Sequence, residues 1–111
     1  MITTVTKENF DKEITEAKET VLVDFWAAWC MPCKMLSPTI DQVAEERSDV
    51  KVCKINIDEE QELAIRFGIM SIPTVMVFKN GEATAKSIGL VSKEDILKLL
   101  SFYLQKINYA Q

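Results

Sequence analysis

The stretch Val21-Leu22-Val23-Asp24-Phe25-Trp26-Ala27-Ala28-Trp29-Cys30-Met31-Pro32-Cys33-Lys34 decides how the chain is read. Its first half, Val21–Ala27, is apolar on both faces, which predicts a central strand covered from both sides. Its second half carries two cysteines three positions apart, and a helix-like run follows from about Pro32 to Arg47. A helix starting near Pro32 puts Cys30 at its N-terminal lip and Cys33 in its first turn. Residues three apart on a helix have β-carbons about 5–6 Å apart, and a small adjustment reaches disulfide distance. Such a pair can open and close without refolding anything.

Two structural readings compete with a redox role. As a staple, a loop this short removes only roughly 2 kcal/mol of unfolded-chain entropy, against roughly 3 kcal/mol for a fifteen-residue loop. As half of a zinc site, the pair needs four Cys or His ligands, and the chain has three cysteines and no histidine. A reversible dithiol/disulfide couple is the better reading.

The length of 111 residues supports one domain, 1–111, with a single core. A net charge of −4 without a basic run points away from nucleic acid. No apolar stretch approaches the ~20 residues needed to span a bilayer, so no membrane role is expected. Met1–Glu8 has neither a basic nor an apolar signal-like segment, and the odd cysteine count fits a reducing setting. The expectation is a cytoplasmic protein.

Taken in order, Ile2–Val5 reads as a short edge strand. Thr6 caps a helix over 7–18, with Asn9 at its third position and a stripe of Phe10, Ile14 and Ala17. The helix after Cys30 carries Leu36, Ile40, Val43 and Ala44 on one face, and Pro38 inside it predicts a kink. Val50–Ile57 is a third strand. Asp58-Glu59-Glu60 opens a short helix to Phe67, which Gly68 ends. Val75–Phe78 and Ala83–Ile88 are strands joined by an Asn80-Gly81 turn. Ser92 and Asp95 cap a last helix with a stripe of Ile96, Leu100, Tyr103, Leu104 and Ile107. This order predicts an α/β fold: a mixed sheet with helices on both faces, built from a right-handed crossover followed by an antiparallel hairpin.

A Cys-x-x-Cys after a strand of a βαβ unit reads as a thioredoxin-like motif. Here Asp24-Phe25-Trp26-Ala27 and Trp29-Cys30-Met31-Pro32-Cys33-Lys34 resemble the active-site segment of the thioredoxin family. Pro38, Lys54-Ile55-Asn56-Ile57-Asp58, Ile72-Pro73-Thr74, Phe78-Lys79-Asn80-Gly81 and Gly89 extend the resemblance over nearly the whole chain. It implies the thioredoxin fold: a central mixed five-stranded sheet flanked by four helices. It also implies a protein-disulfide reductase that binds no cofactor and works as a monomer. Its partners would be a flavin-dependent thioredoxin reductase and disulfide-containing client proteins. Met31 stands where the family usually has glycine, a position that influences redox poise and partner fit. Competing functions are a binding module with incidental thiols and an oxidase or isomerase, against which Pro32 counts.

Thiol–disulfide exchange needs one thiolate to attack and one thiol to resolve. Free N–H groups and the positive helix end favour an anion at Cys30, which makes it the nucleophile. Cys33 is expected to be more buried and to act second. Asp24, in mid-strand among apolar residues, should have its pKa raised toward neutrality by burial; the resemblance gives it proton transfer with Cys33. Lys54 either faces Asp24 and tunes it or is a solvated strand-end lysine. For Pro73 the resemblance implies a cis Ile72–Pro73 bond beside the sulfurs, offering main-chain hydrogen bonds to a substrate. Trp29, Met31, Ile72, Ile88 and Leu90, with Pro32 and Pro73, then form the substrate-binding patch around Cys30; the alternative for Ile88 and Leu90 is core packing. Cys53 reads as a small hydrophobe without a role.

Overall fold

Strand alternation and two long helices set the architecture. The structure, a computed structural model, describes residues 1–110, with side chains described through Ser101. Strands β1 (Ile2–Thr4), β2 (Thr20–Trp26), β3 (Val50–Asn56), β4 (Thr74–Lys79) and β5 (Glu82–Ile88) form one sheet in the order β1-β3-β2-β4-β5. The pairs β1–β3 and β3–β2 are parallel, whereas β2–β4 and β4–β5 are antiparallel. Helices α1 (Met31–Glu46), α2 (Gln61–Arg66) and α3 (Lys93–Ala110) and a π-helical turn at Asp11–Thr15 flank it. The fold is the α/β arrangement expected.

Each face of the sheet has its own core. Val21, Val23 and Phe25 of β2, with Cys53 and Ile55 of β3, pack against Phe10, Ile14, Leu63 and Phe78. The opposite face carries Leu22, Val52, Val75 and Val77 against Leu36, Ile40 and Val43 of α1 and Ile96 and Leu100 of α3. Alternation therefore places Asp24 and Lys54 on the α1 side and Cys53 on the other. Ser92 caps α3 as expected, its hydroxyl accepting the Asp95 N–H at 3.1 Å. Of the apolar stripe on α3, Tyr103, Leu104 and Ile107 lie outside the residues whose side chains are described.

Two expected helices differ from the sequence pattern, both because side chains capture the backbone first. The helix expected over 7–18 contracts to the turn at Asp11–Thr15, where the Glu16 N–H reaches back to the Asp11 carbonyl at 2.8 Å. Upstream, Asn9 Oδ1 accepts the Thr6 N–H at 2.7 Å and its amide donates to the Thr4 carbonyl at 3.2 Å, so a side chain holds this bend. The helix expected from Asp58 starts instead at Gln61. Asn56 Oδ1 takes the N–H groups of Asp58 and Glu59 at 2.9 and 3.2 Å and keeps them in a turn. Gly68 does end α2, with φ of 63°.

The β4–β5 hairpin turns at Asn80 and Gly81, with φ of 53° and 80°. Positive φ at both central residues is what a tight two-residue hairpin requires. A Cβ at Gly81 would lie 2.8 Å from the Thr15 carbonyl oxygen, so this turn sits directly on the π-helical turn.

Candidate active site

The cysteine pair is built into the start of α1. Cys30 is the N-cap, with extended backbone at φ −92° and ψ 110°, and Pro32 occupies the first turn. Its Sγ accepts the Cys33 N–H at 3.2 Å, doing for the helix what a serine or aspartate oxygen usually does. An otherwise orphaned backbone donor therefore points at the sulfur, and the positive end of the helix lies behind it. Cys30 and Cys33 are joined as a disulfide, with Cα atoms 5.3 Å apart.

The expected difference in burial between the two is not found. Cys30 is 4% exposed and Cys33 3% exposed. Both cysteines lie in a small buried cluster with Ala27, against which Trp26, Ile57 and Ile72 pack. What separates the two sulfurs is their surroundings. Cys30 Sγ lies 3.8 Å from the Ile72 carbonyl oxygen, whereas Cys33 borders a cavity that leads to Asp24. The Ile72–Pro73 peptide bond is cis. The Pro73 carbonyl accepts the Gly89 N–H at 2.8 Å, which ties this loop to the end of β5.

Apolar side chains surround the pair. Trp29, Met31, Ile88 and Leu90 are exposed, so Ile88 and Leu90 are not core, and Ile72 is half-buried between them and the sulfur. Trp29 is held by its indole N–H, which donates to Asp58 Oδ2 at 2.9 Å. This contact spans 29 residues, and no local pattern announces it. Met35, one turn beyond Met31 on α1, and Met70, two residues before Ile72, are also exposed. Neither carried a sequence signal, because on a helix or loop an isolated methionine looks like ordinary core.

Beneath the pair, a cavity of about 460 Å³ is lined by Asp24, Trp26, Ala27, Ala28, Cys33, Lys34, Ser37 and Lys54. Asp24 is 2% exposed, and its Oδ1 is buried without a hydrogen-bond partner among the described residues. Burial raises its pKa from 3.8 to about 6, with Lys54 pulling it down and Asp41 pushing it up. The sequence expectation for Asp24 therefore agrees in direction and cause. Lys54 is Asp24's neighbour across the β2–β3 ladder. Its ammonium nevertheless donates to Ser37 Oγ at 2.9 Å, on α1. Ser37 had no sequence signal at all.

Cys53 is fully buried on the other face, and burial raises its thiol pKa to about 11. It belongs to the packed interior, as expected.

Comparison with known proteins agrees with this geometry. The family model described as thioredoxin matches residues 1–101. A thioredoxin of Rickettsia felis is 51% identical over 87% of this chain and 93% of its own length. A thioredoxin of Pseudomonas aeruginosa is 43% identical over 89% of this chain and 93% of its own. One from Pyropia yezoensis is 45% identical over 93% and 97%.

Proposed function

From the premise that the chain belongs to the thioredoxin family and is a thiol–disulfide oxidoreductase of the protein-disulfide reductase type, we propose the division of labour among its residues. Cys30 is the attacking sulfur and Cys33 the resolving one. Asp24 takes the Cys33 proton.

The observation that carries this reading is the Cys33 N–H directed at Cys30 Sγ at the mouth of α1. In the reduced protein that donor and the helix end stabilise a thiolate on Cys30 and lower its pKa, an effect for which thioredoxins are themselves the usual example. The Cys30 thiolate attacks a client disulfide, forming the Cys30–client bond and expelling the first client thiolate. The Cys33 thiol then passes its proton through the cavity to Asp24, whose unpartnered Oδ1 is free to accept it. The resulting Cys33 thiolate attacks Cys30 Sγ, forms the intramolecular disulfide and releases the second client thiolate. An Asp24 pKa of about 6 suits a base that works near neutral pH.

Trp29, Met31, Pro32, Ile72, Ile88 and Leu90 form the docking patch, and the Ile72–Pro73 backbone aligns the client strand. An apolar surface with a flexible thioether suits loose contact with many clients. We further assign the chain a monomeric, cytoplasmic role without a bound cofactor, recycled by a thioredoxin reductase.

The test is covalent trapping. A Cys33→Ser variant should accumulate client mixed disulfides through Cys30, visible by mass spectrometry, and a Cys30→Ser variant should accumulate none. Adducts found only at Cys33 or Cys53 would reverse the assignment.

A further inference from the structure

The cavity is also lined by the Ser37 hydroxyl, which the exchange chemistry described above does not use. Lys54 lies across the ladder from Asp24, on the same face of the sheet. An ammonium beside a buried carboxylate with an unpartnered oxygen would ordinarily close onto it, since opposite charges attract strongly where water is scarce. Here it does not. Lys54 Nζ donates to Ser37 Oγ at 2.9 Å, while Asp24 Oδ1 is left without a partner in the same cavity.

We propose that Ser37 is a positioning residue: its hydroxyl tethers the Lys54 ammonium to α1 and so leaves Asp24 Oδ1 open to receive the Cys33 proton. This rests on the reading of Asp24 as the proton acceptor and adds what regulates it. Tethered, the ammonium still favours the carboxylate through space, but it does not occupy the oxygen the proton needs. The other groups facing Asp24 are few. From α1 come Cys33, Lys34, Ser37 and Asp41, and from β3 Lys54; its β4 partner, Val75, is uncharged. Among these cationic side chains, Lys54 is the one that acts on Asp24.

The consequence is specific. Without the hydroxyl, Lys54 swings onto Asp24, and a directly paired carboxylate ionises at lower pH. The paired carboxylate is also a weaker base, and its oxygen is blocked. Serine to alanine at a helical position favours the helix, so loss of folding does not obscure the result.

The experiment follows the Asp24 carboxyl by carbon-13 NMR in the oxidised full chain. In parallel, release of thionitrobenzoate from a Cys30–thionitrobenzoate mixed disulfide reads the Cys33 step across pH. Ser37→Ala should lower the Asp24 titration by about one pH unit. The acid limb of the release profile should move with it, and the neutral-pH rate should fall about threefold. Ser37→Thr, which keeps the hydroxyl, should restore both. In a Lys54→Met background, Ser37→Ala should change neither, because the group it restrains is gone.

An Asp24 titration that stays put in Ser37→Ala, or that moves equally without Lys54, overturns the tether. A titration that moves while the release profile does not would uphold the tether and remove Asp24 from the proton path.

Discussion

The two faces of the sheet are built from alternate residues of the same strands, yet they do different work. On one face, Phe25 of β2 and Cys53 of β3 lie in an interior closed by rings, with the centroids of Phe67 and Phe78 5.5 Å apart and those of Phe10 and Phe67 5.4 Å apart. On the other face the aliphatic core stops short of the ends of β2 and β3. There Asp24, Lys54 and Ser37 line a cavity that opens beside Cys33. Side and position along the strand decide together: on the α1 face Leu22 and Val52 are core, whereas Asp24 and Lys54, two residues further on, line the cavity. The cysteines make the point, since a thiol on the dry side is raised to about 11 and disarmed, while one at the mouth of α1 is placed for reaction.

The largest effect that would sharpen this contrast lies on the ringed face. Phe25→Ala should destabilise by about 3–5 kcal/mol, read as a lower denaturant midpoint. A cost below about 1 kcal/mol would mean that this face is not the tightly packed one.

The next lies one residue away on the opposite face. The native pKa of Asp24 in the disulfide form is about 6, above its ordinary 3.8. The native state therefore holds that proton where the unfolded chain has released it. The group's contribution to stability is full below about pH 4 and is lost as pH rises through about 6, in all about 3 kcal/mol. Asp24→Asn should remove this slope, so that chemical denaturation of the variant varies less between pH 4 and 7. A wild-type protein that gains stability over that interval would contradict the assignment.

The smallest concerns Cys53. Cys53→Ala should cost roughly 1 kcal/mol through a small void and leave disulfide exchange unchanged in a coupled insulin-reduction assay. Fast alkylation of Cys53 in the native protein would show that the dry face is wetter than its packing implies.

Much of this contrast is legible in the residues themselves. The apolar run of β2 announces a strand covered on both sides, and the lone aspartate that interrupts it announces a costly group with a task. The alternation that hides Cys53 and the Asn80-Gly81 turn are equally local. Other features were not local, and each turns on a side chain reaching across the chain or capturing backbone. Asn9 and Asn56 shortened two helices, Asp58 fixed Trp29 from a distant turn, and Ser37 took the Lys54 ammonium. The near-equal burial of Cys30 and Cys33 belongs with them, because it depends on Ile72, Trp26 and Ile57 packing around the pair from other parts of the chain.

Hairpin tips are usual places to splice in an epitope or a reporter, because exposed turns tolerate extra residues. The tip at Gly81 is a poor choice in this protein, since even one added carbon would meet the Thr15 carbonyl at 2.8 Å. An inserted peptide there would have to pry the β4–β5 ribbon off the turn beneath it. The bend at Gly68, where a Cβ would meet nothing within 4 Å, has the open space that the tip at Gly81 lacks.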